Sequence, residues 1–268
     1  MKARILATLV LWTLIIGLPA LLGKWGAFLI ILAFSVMAFI ELTGLFQRAG
    51  RPLDRPVVVT IFALSLTGLM AFPPWIIPPM AIFALTAALL LGISVFKGEI
   101  GTITPISLNS LGAVFLFLVP FATAVLIIHE AGIVLLIWII AVAKFCDVGA
   151  LLTGLWLGKH PMAPALSPKK TWEGLTGGLL LAVIVSVGFV LLFENHLPAD
   201  FTLVQAAWKA LFIALAGVIG DLLESAFKRE ANVKDSGSLI PGIGGMLDLS
   251  DSVILAFPVG YFFIWLMV

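Results

Sequence analysis

Long apolar runs, broken at intervals by short clusters of charge, proline and glycine, dominate the chain. Crossing a hydrocarbon core of about 30 Å takes about 20 apolar residues in helix. Nine stretches meet that need: 5–22, 26–46, 57–76, 80–96, 108–128, 132–158, 174–193, 205–227 and 251–268. Each is expected to be helical, because backbone polar groups in lipid must pair within their own segment. The first run has the outline of a secretory signal, with Lys2 and Arg4 ahead of an apolar stretch ending near Pro19-Ala20. Eight further spans behind it favour a retained anchor. The pattern therefore predicts an all-α, polytopic integral membrane protein with about nine transmembrane helices. It reads as one membrane domain over 1–268, with scaffold helices in 1–130 and the working part in 131–268.

Composition agrees with the pattern. Hydrophobic residues make up 62% of the 268 positions and charged residues 11%, against about 25% charged in soluble domains. Soluble, disordered and nucleic-acid-binding classes are excluded on that ground. The net charge of +1 shows no bias toward a polyanionic partner. A single cysteine, Cys146, rules out an intrachain disulfide and thiolate zinc clusters. His129, His160 and His196 lie far apart, near loops, and are expected to be solvated. Carboxylates remain as the plentiful metal-ligand type, which points to magnesium, calcium or manganese if a metal is present.

Basic residues set an orientation. With the N-terminus in the cytoplasm and nine alternating spans, the inner side receives Lys2, Arg4, Arg48, Arg51, Arg55, Lys97, Lys159, Lys169, Lys170, Lys228, Arg229 and Lys234. The outer side receives Lys24 and Lys209. Twelve against two satisfies the positive-inside rule. Short loops suit a bacterial inner membrane, and two polar loops, 159–173 and 228–250, fall on the cytoplasmic face.

Ionisable groups inside spans cost a few kcal/mol and mark functional paths. Lys144 and Asp147 stand at i and i+3 in span six, so they share a face and can pair. Asp221, Glu224 and Ser225 occupy the cytoplasmic half of span eight, and Asp248 and Asp251 flank the entry to span nine. Asp251-Ser252 also suits a plain helix N-cap, and Glu41 in span two reads as a packing or snorkelling carboxylate. Loop 228–250 combines Lys228, Arg229 and Lys234 with Gly242, Gly244 and Gly245. Basic side chains, carboxylates and a glycine-rich backbone open to anions together suggest phosphate chemistry.

At these loops the sequence resembles the phosphatidate cytidylyltransferase, or CDP-diacylglycerol synthase, family. Asp147, Gly158-Lys159 and Ser167 through Gly174 match its first segment. Gly220-Asp221-Leu222, Glu224-Ser225, Lys228-Arg229, Lys234 through Gly237, Pro241 through Gly245 and Asp248 through Ser252 match the second. The likeness covers about 147–252. The family's motif histidine and arginine are Ile243 and Leu249 here, so neither role carries over.

The resemblance implies transfer of a cytidylyl group from CTP to phosphatidic acid, with release of pyrophosphate. It implies Mg²⁺, has precedent for a second cation such as K⁺, and carries the expectation of a homodimer. On that reading Asp221 and Asp248 are the main metal ligands, with Asp251 and Glu224 in support. Lys169, Lys170, Lys228, Arg229 and Lys234 neutralise phosphate. Ser167, Ser225 and Ser252 donate hydrogen bonds, Gly242, Gly244 and Gly245 lend backbone, and Lys144 with Asp147 extends the polar cavity toward the lipid headgroup. Two other readings stand beside it: a CTP-dependent transferase acting on another lipid phosphate, and a cation-coupled transporter using Lys144, Asp147, Asp221 and Glu224. The Asp-Gly-x-x-Ala-Arg signature of CDP-alcohol phosphotransferases is absent.

Overall fold

Helices follow the apolar runs. The structure, a computed structural model, describes residues 13–72, 74–97, 103–237 and 244–266. Gly242 and Ile243 lie outside the described residues. In chain order the helices are α1 (Thr13–Leu22), α2 (Lys24–Arg48), α3 (Arg55–Ala71), α4 (Pro79–Lys97), α5 (Ile103–Glu130), α6 (Gly132–Leu157), α7 (Trp172–Phe193), α8 (Leu203–Glu230) and α9 (Met246–Trp265). Among the described residues, seven of them, α2 and α4 through α9, are long and apolar enough to cross a bilayer, and the described part of α1 and the 17-residue α3 are shorter. The chain is an integral membrane protein of all-α class.

Local chemistry explains where the observed ends differ from the expected ones. Asp54 caps α3, accepting the Val57 N–H at 3.4 Å, with Pro56 in the first turn. The helix stops at Ala71, short of the expected 76, because Phe72 is already extended ahead of Pro73-Pro74. A residue before proline is pushed out of the helical region. Helix α9 begins at Met246, five residues before the expected 251. Its first turn is held by the Asp248 carboxylate, whose Oδ2 accepts the Gly245 N–H at 2.8 Å, half of a capping box. Asp251 and Ser252 therefore sit in the second turn, and the N-cap reading of that pair does not hold.

One short sheet was not expected. Strands β1 (Pro161–Ala163) and β2 (Ser167–Thr171) pair antiparallel, Ala163 opposite Ser167 and Pro161 opposite Thr171. The prolines at 161, 164 and 168 concealed it in the sequence, since they read as loop.

The chain divides into two compact units. The first contains the helices up to His129 together with Phe227–Ser250. Its core is aromatic: Phe39 stacks on Phe62 at 4.5 Å and meets Phe117 at 5.8 Å, all three buried. His129 is not simply solvated, because its Nε2 lies 3.1 Å from the Met70 carbonyl oxygen.

The second unit contains Glu130–Ala226 and α9 from Asp251 onward. Helices α6 and α7 cross on small residues. A Cβ on Gly178 would lie 2.7 Å from the Cys146 carbonyl oxygen, and one on Gly149 would lie 2.8 Å from that of Gly177. Glycine lets the two backbones touch, the usual means of packing helices in lipid. A polar relay crosses the same interior. Trp138 Nε1 donates to Ser186 Oγ at 2.9 Å, and Ser186 Oγ donates to the Ala206 carbonyl at 2.9 Å. Leu151, Leu155, Leu180, Ile184 and Leu191 remain exposed, as lipid-facing positions should.

Candidate active site

In the second unit, α8 and α9 each carry acidic residues at helical spacing. Asp221 and Glu224 are one turn apart on α8, and Asp251 comes from the second turn of α9. One carboxylate oxygen from each lies within 4.8 Å of the others, so the three form a group of oxygen donors that could hold a hard cation. Gly220 allows the approach, since any Cβ there would collide with the Asp251 carbonyl. Glu224 is 2% exposed, deep for an acid in a largely apolar unit.

Lysines balance this charge. Lys170, delivered by β2, places Nζ 2.6 Å from Asp221 Oδ2. Lys144 on α6 lies 3.7 Å from Asp147 Oδ2, the i,i+3 pair expected from sequence, and 3.3 Å from Asp251 Oδ1. The second contact spans 107 positions of chain, which no local pattern could have announced. Asp221 and Asp251 are thus joined to lysines on two other elements, and Asp147 shares the second of them.

A cavity of about 230 Å³ opens beside this cluster. Asp147, Lys169, Lys170 and Asp221 give it a charged end, while Leu151, Leu175 and Val218 give it an apolar flank. Local hydrogen bonds fix the hairpin that supplies the lysines. Thr171 Oγ1 caps α7 by accepting from the Gly174 N–H at 3.1 Å. Glu173 accepts from the backbone N–H groups of Lys159 and His160 at 3.1 and 3.2 Å, and its Oε1 lies 2.5 Å from His160 Nδ1. Ser167 begins β2 and is half-buried. Ser225 and Ser252 are buried, at 8% and 0% exposure.

The first unit holds a different cluster, built on loop 231–245. Asp248 Oδ1 accepts from Lys228 Nζ at 2.8 Å, and Oδ2 accepts from the Gly245 N–H at 2.8 Å and lies 3.0 Å from Ser236 Oγ. Sequence reasoning paired Asp221 with Asp248. The structure groups Asp221 with Glu224 and Asp251, and gives Asp248 its own partners in the loop. Gly244 has φ +121°, a backbone that favours glycine, and the Gly245 N–H donates to the protein's own carboxylate. Arg229 and Lys234 are exposed. Glu41, read as a packing carboxylate, accepts from Ser236 Oγ and from the Leu247 N–H, both at 2.9 Å. Its one sequence signal was an acid inside an otherwise apolar span.

Comparison with known proteins adds a family. The model described as the cytidylyltransferase family matches residues 2–267. A phosphatidate cytidylyltransferase of Haemophilus influenzae is 37% identical over 162 residues, 57% of this chain and 56% of its own length. One of Bacillus subtilis is 37% identical over 135 residues, covering 50% and 49%. One of Synechocystis is 30% identical over 264 residues, covering 88% of each. The chain thus spans about half the length of the first two relatives and most of the third.

Proposed function

Because the chain belongs to the cytidylyltransferase family, we propose that it transfers a cytidylyl group from CTP to phosphatidic acid, forming CDP-diacylglycerol and pyrophosphate for phospholipid synthesis. One observation carries the reading: three carboxylates in mutual reach, flanked by Lys144 and Lys170, beside a cavity with a charged end and an apolar flank. Such a cavity suits a ligand that is phosphate at one end and hydrocarbon at the other.

The chemistry asks for charge management. A lipid phosphate oxygen, ionised near neutral pH, attacks the α-phosphorus of CTP. The bond from that phosphorus to the bridging oxygen breaks, and its electron pair leaves with pyrophosphate. No strong general base is needed, which agrees with a cluster built of carboxylates and lysines. Catalysis is positioning plus electrostatic stabilisation. Lys169 and Lys170 are suited to neutralise phosphate oxygens from the hairpin. Asp221 and Asp251 pair with Lys170 and Lys144. In loop 228–250, Lys228, Arg229 and Lys234 add positive charge.

The carboxylate oxygens fit Mg²⁺ in kind, as three hard oxygen donors within 4.8 Å of one another. Asp221, Glu224 and Asp251 would hold the ion, and it would supply Lewis-acid stabilisation of phosphate charge. A second cation such as K⁺ and a homodimer, both implied by the family resemblance, belong to the proposal too. So does orientation: twelve inner basic residues against two outer ones support an N-terminus and active site facing the cytoplasm of a bacterial inner membrane.

Purified protein given labelled CTP, phosphatidic acid and Mg²⁺ should yield a labelled lipid and an equal amount of pyrophosphate. Absence of both products overturns the reading. Ile243 and Leu249, standing where the family pattern has His and Arg, are the observation behind a second reading, in which another lipid phosphate is the acceptor. A panel of diacyl, ether and prenyl phosphates separates the two by which one gives liponucleotide fastest.

A further inference from the structure

The two ends of the segment between α8 and α9 are held by a residue almost two hundred positions upstream. Glu41 comes from the C-terminal part of α2, outside the stretch that carries the motif resemblance. Its Oε2 accepts from Ser236 Oγ at 2.9 Å, where the chain has just left α8, and from the Leu247 N–H at 2.9 Å, where it enters α9. The same serine hydroxyl lies 3.0 Å from Asp248 Oδ2. One side chain on a separate helix therefore ties the loop's incoming and outgoing ends together, and touches the hydroxyl that meets Asp248.

Two glycines record how close this fit is. A Cβ on Gly237 would collide with the Glu41 side chain, and one on Gly245 would collide with both Glu41 Oε2 and Ser236 Oγ. These positions need glycine because backbone passes directly over the glutamate carboxylate.

We propose that Glu41 is a positioning residue for the reaction, clasping Ser236 to Leu247 so that Asp248 and the Lys228 it pairs with are presented in a fixed arrangement. This rests on the function proposed above. A loosely held group that takes part in a reaction slows turnover by about tenfold to a hundredfold. The clasp itself is local hydrogen bonding and can be read without any substrate.

The test uses the full-length protein in lipid nanodiscs, as wild type, Glu41→Ala and Glu41→Gln. Amide hydrogen exchange across 236–247 should speed up at least about tenfold in Glu41→Ala while α6 and α7 keep wild-type protection. Glu41→Gln keeps an acceptor oxygen and should stay within about threefold of wild type. kcat should fall at least about tenfold in Glu41→Ala, with most of it restored in Glu41→Gln, a rescue that lost global stability would not produce. In the Glu41→Ala background Gly237→Ala should add little, whereas alone it should mimic Glu41→Ala. Wild-type exchange in Glu41→Ala overturns the inference, as does faster exchange with kcat unchanged. If wild-type protein makes no liponucleotide, the proposed function fails, and the exchange data still decide whether Glu41 holds the loop.

Discussion

Lys170 Nζ and Asp221 Oδ2 stand 2.6 Å apart, bringing a two-stranded hairpin onto the membrane helix that carries the acidic cluster. Both side chains are about three-quarters buried, at 23% and 25% exposure. The pair connects the most basic part of the hairpin with a proposed metal ligand, so disturbing either residue should be felt at both.

Replacing Asp221 by Asn should reduce kcat/KM for CTP at least about a hundredfold. Lys170→Met should reduce it less, and the double variant should be no worse than Asp221→Asn alone. Steady-state kinetics on the three purified proteins check this, and fully additive losses would mean that the contact plays no part in turnover.

Metal dependence should separate two aspartates that look equivalent in the sequence. Asp251 belongs to the carboxylate cluster, whereas Asp248 is held by Lys228, Ser236 and Gly245. Asp251→Asn should raise the half-saturating Mg²⁺ concentration at least about tenfold, and Asp248→Asn should lower kcat with that midpoint moved less than about threefold. Mg²⁺ titrations of activity give both numbers. A larger midpoint shift for Asp248 would return it to the ion.

The anchoring of the hairpin through Glu173 predicts a binding defect. Glu173→Ala removes the acceptor for two backbone N–H groups and for His160. Protease cleavage within 158–171 should accelerate, and KM for CTP should rise about fivefold or more with kcat less affected. Limited proteolysis followed by kinetics tests the two halves independently.

The α6–α7 crossing predicts an asymmetry between glycines of one helix. Gly178→Val forces a side chain against the Cys146 carbonyl and should cost about 1–3 kcal/mol. Gly188, with no atom within 4 Å of a Cβ built there, should accept Ala with a gain of about 0.5 kcal/mol. Thermal unfolding in the same detergent compares them.

Much of the architecture was legible because membrane helices announce themselves by length and hydropathy, which depend on sequence alone. The ends were less legible where one residue decides. Phe72 before two prolines shortened α3, and the Asp248 carboxylate accepting from Gly245 began α9 early. The charged residues of the acidic cluster stood out because lipid makes every such residue conspicuous. Their partnerships did not, since Lys144 with Asp251 and Glu41 with Ser236 depend on helices far apart in the chain. Proline-rich 161–168 looked irregular, and its pairing became visible only with the strand register.

The Trp138–Ser186–Ala206 relay has a consequence for biogenesis. An indole N–H and a hydroxyl shielded from water both need acceptors, and the last oxygen in this chain of donors sits on α8, the third of the three helices to be synthesised. Completion of the bundle is therefore a matter of chronology. A nascent chain halted before residue 203 carries the tryptophan and the serine without their terminal acceptor, and α6 and α7 wait for their successor to finish the join.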